Sequence, residues 1–281
     1  MRSISTGLIT ETVKNAFLRA NYDIGADITE CLEKSRREEI SPLGRDILGD
    51  ILLNDEIART ERIAACQDTG MAVVFAYIGQ DARIEGGDFN EAVEEGVRQA
   101  YSEGYLRKSV VSDPLFDRRN TGDNTPAVIY TEIVPGDRIR FDVTAKGFGS
   151  ENMSAVRMLT PAAGVEGVLD FIEETVSKAG PNPCPPLVVG VCVGGTMDKA
   201  AVLAKKATMR PVGTHNGDPR YAGLEEEALK RINKLGIGPG GFGGSTTALA
   251  VNIDFFPTHI AGLPVAVNIC CHVARHASVE I

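Results

Sequence analysis

Hydrophobic residues recur at helical spacing through the first sixty residues of the chain. Segments 8–20 (LITETVKNAFLRA) and 26–39 (ADITECLEKSRREE) place apolar side chains three or four positions apart, and Asp27 can cap the second helix. Ser41, followed by a proline, is typical of a helix start and predicts a third helix within residues 41–65. The N-terminal part of the chain is therefore predicted to be helical.

Beyond this part, apolar runs alternate with amphipathic stretches. The runs 125–134 and 138–147 are joined by the turn sequence Pro-Gly-Asp, which predicts a β-hairpin. Helices interleaved with strands, one pair of them antiparallel, predict a mixed α/β (α+β) fold. We expect a single domain over residues 1–281, with a helical part at 1–62 and an α/β part at 63–281. The further strands are predicted at 71–79, 185–194, 245–254 and 263–271, and the further helices at 88–109, 164–180, 196–208 and 221–236.

Composition narrows the class of protein. The chain has 281 residues, of which 43% are hydrophobic, and this is enough to bury a sizeable core. A net charge of -9 without any Lys/Arg run argues against a nucleic-acid partner. The apolar runs are too short to span a bilayer, and the N-terminus lacks a signal peptide, so we expect a cytoplasmic protein. Six cysteines are too few for a disulfide scaffold, and in a reducing compartment they stay thiols.

Four common site motifs do not account for the sequence. Gly236, Gly238 and Gly241 match G-x-G-x-x-G, but a helix leads in and a strand leads out, the reverse of a dinucleotide-binding motif. There is no G-K-[ST] phosphate loop and no G-x-S-x-G nucleophile motif. The adjacent pair Cys270 and Cys271 lacks the repeated C-x-x-C spacing of structural zinc sites.

A polar loop before a buried strand is the strongest chemical signal. Residues 65–70 read ACQDTG and run directly into the apolar MAVVFAYIG. Cys66 in this loop, Cys184 between prolines and Cys271 at a strand end are candidate ligands, whereas Cys192 alternates with valines and is expected in the core. If the three thiols converge at one sheet edge, they suit an iron–sulfur cluster with one open iron. Scattered, buried thiols are the alternative.

Seven segments together resemble the α region of the class I, iron–sulfur-dependent fumarate hydratase and tartrate dehydratase family. They occur in the family's order between about residue 65 and residue 275. The resemblance implies a [4Fe–4S] cluster bound by Cys66, Cys184 and Cys271, the last in preference to Cys270. The seven segments are ACQDTG, YLRKS, NTGDNTPA, AKGFGSEN, NPCPPLVVGVCVGGT, LGIGPGGFGG and THIAGLPVAVNICCHVAR.

The same resemblance implies roles for five further residues. Asp68 matches a catalytic acid or base, and Gln67 a substrate-binding position beside it. Arg107 matches a position that binds a substrate carboxylate, which suits its guanidinium fork. Gly149 matches a position where the backbone approaches the substrate, and His259 matches the family's active-site histidine. The alternatives are that Asp68 only forms a polar turn and that His259 is an ordinary hydrogen-bonded histidine.

The implied reaction is the reversible hydration of fumarate to (S)-malate, with the open cluster iron as the Lewis acid. AKGFGSEN, in place of the AGGGC of tartrate dehydratase α chains, favours a fumarate/malate-type dicarboxylate. The alternatives are an L-tartrate dehydratase α subunit that forms oxaloacetate, an electron-transfer protein and a non-catalytic scaffold. Single-chain relatives carry a further C-terminal β region, so we expect a separate β subunit to complete the site in a hetero-oligomer.

Overall fold

The computed structural model describes residues 2–281, and its helices and mixed sheets confirm the predicted mixed α/β class. The helices are α1 (Thr6–Tyr22), α2 (Ala26–Glu38), α3 (Pro42–Glu61), α4 (Phe89–Glu103), α5 (Phe148–Glu151), α6 (Gly164–Ala179), α7 (Met197–Ala207) and α8 (Pro219–Lys234). The strands are β1 (Arg2–Ser5), β2 (Met71–Gly79), β3 (Ala82–Glu85), β4 (Val128–Val134), β5 (Ile139–Lys146), β6 (Ala155–Leu159), β7 (Leu187–Gly194), β8 (Ala248–Phe256), β9 (Leu263–Cys270) and β10 (His276–Glu280). Within residues 2–281, no helix has the length and apolar character needed to span a membrane.

Two compact units divide the chain. The first unit contains the residues up to Ile24 together with Asn54–Phe148 and Arg275–Ile281, and the second contains Gly25–Leu53 and Gly149–Ala274. Each unit has its own four-stranded sheet. That the whole chain acts as one domain stays a prediction.

The predicted N-terminal helices are confirmed, with one corrected cap. Ser41 Oγ accepts a hydrogen bond from Gly44 N at 3.1 Å, as expected of a residue that caps α3. Asp27 does not cap α2, because Gly25 occupies the cap position and Asp27 lies within the first turn. The Asp27 carboxylate instead accepts a hydrogen bond from Val212 N at 2.7 Å. The short strand β1, which pairs in parallel with β3, was not expected from the sequence.

The sheet of the first unit has the strand order β10-β5-β2-β4. Helices α1 and α4 pack on one of its faces, where Phe17, Val97 and Phe141 belong to a continuous apolar core. Ser5 caps α1 through a bond from Leu8 N, which fixes where the helix begins. This packing places the end of α4 beside the start of β2.

The predicted hairpin between residues 125 and 147 is wrong. Strands β4 and β5 do not pair with each other, because β2 lies between them. Val74 of β2 is opposite Ile129 in a parallel ladder and opposite Val143 in an antiparallel ladder. The long apolar run of β2 is buried and can pair on both edges, and this non-local pairing takes the place of the local turn.

The sheet of the second unit has the strand order β6-β9-β7-β8. Helices α6 and α8 contribute to the apolar core on one face, where Ile172, Val191 and Ile253 are fully buried. On the other face, Ala200 and Ala204 of α7 pack against Cys192. Cys192 is thus a core residue, as predicted.

The glycine-rich segment after α8 is a turn between a helix and a strand, as the sequence indicates. Gly238 has a φ of 70°, and a Cβ there would lie 2.1 Å from the carbonyl carbon of Gly243. Only glycine fits such a left-handed and crowded position. The segment folds back on itself between α8 and β8, and the order of these elements excludes the dinucleotide-binding motif.

Candidate active site

The polar loop of residues 65–70 links α3 to β2 in the first unit. Ala65 fixes its start, since its N–H donates to Asn21 O at 3.1 Å and its carbonyl accepts from Asn54 Nδ2 at 2.8 Å. Gly70 fixes its end with a φ of 71°, where a Cβ would lie 2.5 Å from the carbonyl carbon of Lys146. Both ends of the loop are therefore anchored by close main-chain contacts.

Three buried side chains hold the main chain of residues 68–70. Arg275 Nη1 donates to the carbonyl of Asp68, and Tyr101 Oη donates to the carbonyl of Thr69 at 2.7 Å. The carbonyl of Gly70 accepts from Tyr101 Oη and from Asn124 Nδ2, each at 3.2 Å. We call Tyr101, Asn124 and Arg275 the carbonyl clamp. They satisfy three consecutive acceptors away from water, which would otherwise be costly to bury.

Tyr101 is suited to this role because it stays protonated. Burial raises the pKa of Tyr101 far above its ordinary range, although the positive charge of Arg275 opposes the change. The neutral hydroxyl therefore remains a hydrogen-bond donor at all physiological pH values.

Asp68 is held at both of its carboxylate oxygens. Oδ1 accepts a hydrogen bond from Gly70 N at 3.0 Å, and Oδ2 accepts from Phe148 N at 2.9 Å. The first bond closes an Asx turn, so Asp68 has the turn role that the sequence left open. Each oxygen can still accept a second bond, and the half-buried carboxylate is not sealed from solvent. Its catalytic role stays a prediction.

Gln67 and Arg107 lie beside this aspartate in the first unit. Cys66 Sγ donates to Gln67 Oε1 at 3.5 Å, and the Gln67 side chain is exposed. Thr69 Oγ1 donates to the main-chain carbonyl of Arg107 at 3.1 Å, which ties the segment after α4 to the loop. The Arg107 side chain is exposed. Four predicted site residues, Cys66, Gln67, Asp68 and Arg107, therefore come together within one unit.

Cys184 and Cys271 lie at one edge of the sheet in the second unit. Cys184 precedes β7 by three residues and Cys271 directly follows β9, and Val188 is paired with Cys270 at the adjacent ends of these antiparallel strands. Cys184 has a φ of 56°, which is a strained conformation for a residue other than glycine. Such strain is more frequent at functional sites than elsewhere.

Gly149 lies close to the segment that carries Cys184. A Cβ on Gly149 would lie 3.7 Å from Asn182 O, an ordinary contact. The protein's own packing in this unit therefore does not require glycine at this position.

His259 does not lie at the cysteine edge of this sheet. It follows β8, whose last residue Phe256 pairs with Gly194 at the far end of β7. The eight residues of β9, about 25 Å long, separate the His259 loop from Cys271. The exposed imidazole accepts a bond from Ala261 N at 3.2 Å through Nδ1. Its catalytic role stays a prediction, and in this chain it lies away from the cysteine edge.

The chemistry of the cysteines fits a division between ligands and core residues. No disulfide joins any of the six. Burial raises the pKa of Cys192 to about 12 and also raises the pKa of Cys31. Cys270 is buried in β9. Because a metal ligand must be a thiolate, the raised pKa values make Cys31 and Cys192 unfavourable positions for iron.

The remaining three thiols are those predicted to bind a cluster. Cys66 and Cys271 are half-buried, and Cys184 is exposed. Cys66 belongs to the first unit, and the other two belong to the second. Within residues 2–281, neither unit by itself groups three His, Cys, Asp or Glu side chains in an arrangement that could hold a metal ion.

The fold is that of a mixed α/β protein, and its candidate site is a polar loop that carries a thiol and is held by the carbonyl clamp. The chain belongs to the fumarate hydratase (Fumerase) family, whose sequence profile matches residues 10–280. It is 40% identical over 273 residues to the "Putative L(+)-tartrate dehydratase subunit alpha" of Methanocaldococcus jannaschii, with 96% of each chain covered. It is 31% identical over 277 residues to the "L(+)-tartrate dehydratase subunit alpha" of Escherichia coli K12, covering 97% of this chain and 90% of that one. The predicted family of hydro-lyases is confirmed.

Sequence reasoning missed the carbonyl clamp. Asn124 and Arg275 lie within segments that carry the family resemblance, and Tyr101 lies on a predicted helix, but none of them received a role. The available signal was weak: each is a polar residue whose neighbours in sequence give no sign that it is buried. Only the three-dimensional structure shows that their donors meet at residues 68–70.

We predict that Asn124→Ala destabilises the first unit. Asn124 is fully buried; its Oδ1 accepts from Ser109 N at 2.7 Å and from Val110 N at 3.2 Å, in addition to the bond its Nδ2 donates to the clamp. Losing these buried bonds is expected to cost about 3 kcal/mol in the free energy of unfolding, measured by urea denaturation.

Asn120→Ala is the matched control for this substitution. Asn120 is an exposed asparagine in the same segment, and its Nδ2 donates to Lys108 O at 2.9 Å. Loss of the Asn120 side chain should lower the free energy of unfolding by less than about 0.5 kcal/mol. Equal losses for the two variants would show that the clamp contributes nothing special to stability.

Proposed function

We propose that the chain is the α subunit of a [4Fe–4S]-dependent hydro-lyase that adds water reversibly to a four-carbon unsaturated dicarboxylate. The observation that carries the proposal is the clamped loop, which presents a thiol, an amide and a carboxylate side by side in a chain of the fumarate hydratase family. Hydration of fumarate to (S)-malate is the reaction favoured by the sequence.

Cys66, Cys184 and Cys271 would hold the cluster. They are the accessible thiols at loop and strand ends, and three cysteine ligands leave one of the four irons without a protein ligand. When bound, the cluster supplies a Lewis acid that can polarise the carbon–oxygen bond of the hydroxy acid.

Asp68 is the group we assign to proton transfer. In the dehydration direction, the Asp68 carboxylate accepts a proton from the carbon next to the hydroxyl-bearing carbon, and the hydroxyl leaves with the electron pair of its carbon–oxygen bond. The proton taken from carbon and the released hydroxide together make up the water that is lost. The Asp68 carboxylate keeps free lone pairs beside its two main-chain bonds and is fixed in direction, as a general base must be. In the hydration direction the same group returns the proton.

Arg107 and Gln67 would bind the substrate. The exposed guanidinium of Arg107 can form two parallel bonds with one carboxylate, and Thr69 ties its main chain to the loop that carries Asp68. The Gln67 amide can donate to a substrate oxygen. Gly149 leaves space for a ligand close to the main chain near Cys184.

L(+)-tartrate is the second candidate substrate. The relatives that match along nearly the whole chain are named as tartrate dehydratase α subunits, and dehydration of tartrate yields oxaloacetate. The preference for fumarate rests on the AKGFGSEN segment, whose Lys146 is 1% exposed. The two substrates differ by one additional hydroxyl group in the hydrated acid.

A separate β subunit is part of the proposal. The relatives carry the designation "subunit alpha", which supports assembly of this chain with a second kind of subunit. We propose that this β subunit completes the active site in a hetero-oligomer and that the chain by itself turns over poorly. A scaffold without catalytic residues would tolerate loss of the three cysteines and of Asp68.

The cluster assignment predicts the metal content of cysteine variants. After anaerobic reconstitution with iron and sulfide, the wild-type chain should contain about four irons and about four acid-labile sulfides. Serine at position 66, 184 or 271 should lower both counts together, because each variant lacks one thiolate ligand. Iron and sulfide assays, with a visible spectrum, provide the measurement.

Cys31→Ser is the matched control, since Cys31 is half-buried like Cys66 and Cys271. It should retain the full cluster. A wild-type chain that takes up no cluster, or a Cys31→Ser variant that loses as much iron as the other three, would contradict the assignment.

The proposed function also predicts the kinetics of Asp68→Asn. In the complex with the β subunit, this isosteric change should lower kcat at least about 100-fold, because the amide cannot accept the proton. The iron content should stay at the wild-type level. Rates with fumarate and with L(+)-tartrate, each measured as kcat/KM, would decide the substrate.

An Asp68→Asn enzyme with wild-type kcat would remove Asp68 from the mechanism. A wild-type complex that contains the cluster but is inactive on both acids would contradict the hydro-lyase proposal itself.

A further inference from the structure

Arg275 is a buried charge that the proposed mechanism does not yet use. It stands immediately before β10 and four residues after Cys271. Its main-chain carbonyl accepts from Thr144 Oγ1 at 2.7 Å and from Ala145 N at 3.3 Å, which fixes its backbone against β5. The residue is 3% exposed, so its side chain is buried.

The guanidinium contacts the main chain of Asp68 and lies near its carboxylate. Nη1 donates to the carbonyl oxygen of Asp68. A Cβ built on Gly147 would be 3.1 Å from Arg275 Nη2 and also 3.1 Å from Asp68 Oδ2. Because Gly147 has no side chain, the guanidinium of Arg275 and the carboxylate of Asp68 can both approach this position.

Satisfying a carbonyl oxygen does not by itself require a charge at this position. Tyr101 satisfies the next carbonyl with a neutral hydroxyl, whereas burying a guanidinium costs several kcal/mol unless charged or polar groups compensate. Arg275 Nε is buried without a hydrogen-bond partner, so the cation is only partly compensated by fixed hydrogen bonds. A buried cation beside a half-buried carboxylate is an arrangement suited to function.

We propose that Arg275 is a positioning residue for Asp68, an inference that rests on the proposed function of this loop. Nη1 fixes the main chain of Asp68, and the nearby positive charge favours the carboxylate orientation in which Oδ2 accepts from Phe148 N. Arg275 is buried, so it acts through Asp68 rather than on the substrate. The chain segment that supplies Cys271 thus also sets the direction of the proposed base.

The test compares Arg275→Gln and Arg275→Lys in the cluster-loaded complex with the β subunit. Arg275→Gln should lower kcat about 10- to 100-fold, because small displacements of a catalytic group cost this much. KM should stay within about twofold, because Arg275 is not expected to touch the substrate. Arg275→Lys keeps the charge and should recover part of kcat. In hydrogen exchange, the amides of residues 66–70 should exchange faster in Arg275→Gln.

Arg19→Gln is the matched control. Arg19 Nη2 also donates to a main-chain carbonyl in the first unit, that of Ser278 at 2.8 Å, but this arginine is exposed and its acceptor belongs to β10. This variant should leave kcat and the exchange of residues 66–70 unchanged.

Several outcomes would overturn the proposal. Wild-type kcat in Arg275→Gln would show that the residue is only structural. A raised KM with unchanged kcat would make it a substrate ligand. If Arg275→Gln does not fold, Arg275→Lys decides: a loss of kcat of about 10- to 100-fold together with wild-type exchange at residues 66–70 would contradict positioning. An inactive wild-type complex is a different result, because it removes the proposed function before Arg275 is considered.

Discussion

Three consecutive carbonyl groups at residues 68–70 must find donors inside the protein, and the candidate site depends on how they do so. These donors are supplied by Tyr101 near the end of α4, Asn124 in the segment before β4 and Arg275 immediately before β10. Elements that are distant in sequence thus converge on one short stretch of main chain. Because the main chain is held from inside, the loop has a fixed conformation in which the side chains of Cys66, Gln67 and Asp68 would act in the proposed function.

This arrangement explains how a polar loop can be rigid and still carry the side chains of the proposed chemistry. In the proposed function Asp68 is a general base, which needs a fixed direction and a free lone pair. The two main-chain bonds fix its direction, and each carboxylate oxygen keeps one further lone pair. The cysteines fall into two groups, those buried in the core and those proposed to bind the cluster. Burial keeps Cys192 protonated in the core, whereas Cys184 is an exposed residue in a strained loop. In the proposed enzyme, core packing and site chemistry therefore use different cysteines.

The sequence predicted the positions of helices and strands better than it predicted which strands pair with each other. The buried runs that became β7, β8 and β9 and the amphipathic helices α6, α7 and α8 were each expected, because apolar periodicity is a local property. The hairpin of residues 125–147 was wrong, since local turn residues cannot reveal that β2 separates the two strands. The same limit hid the role of Arg275, whose neighbours in sequence give no sign that it contacts Asp68. His259, chosen by family resemblance, lies at the sheet edge opposite Cys184 and Cys271.

The central proposal is that three cysteines of this chain hold a [4Fe–4S] cluster and leave one iron to which a substrate can bind. A Mössbauer spectrum of the iron-57-loaded complex, recorded with and without fumarate or L(+)-tartrate, tests this most directly. We predict that about one iron in four changes its signal when the substrate is added, while the others stay the same. A spectrum in which no iron responds to either acid, as for a cluster with four protein ligands, would contradict the account.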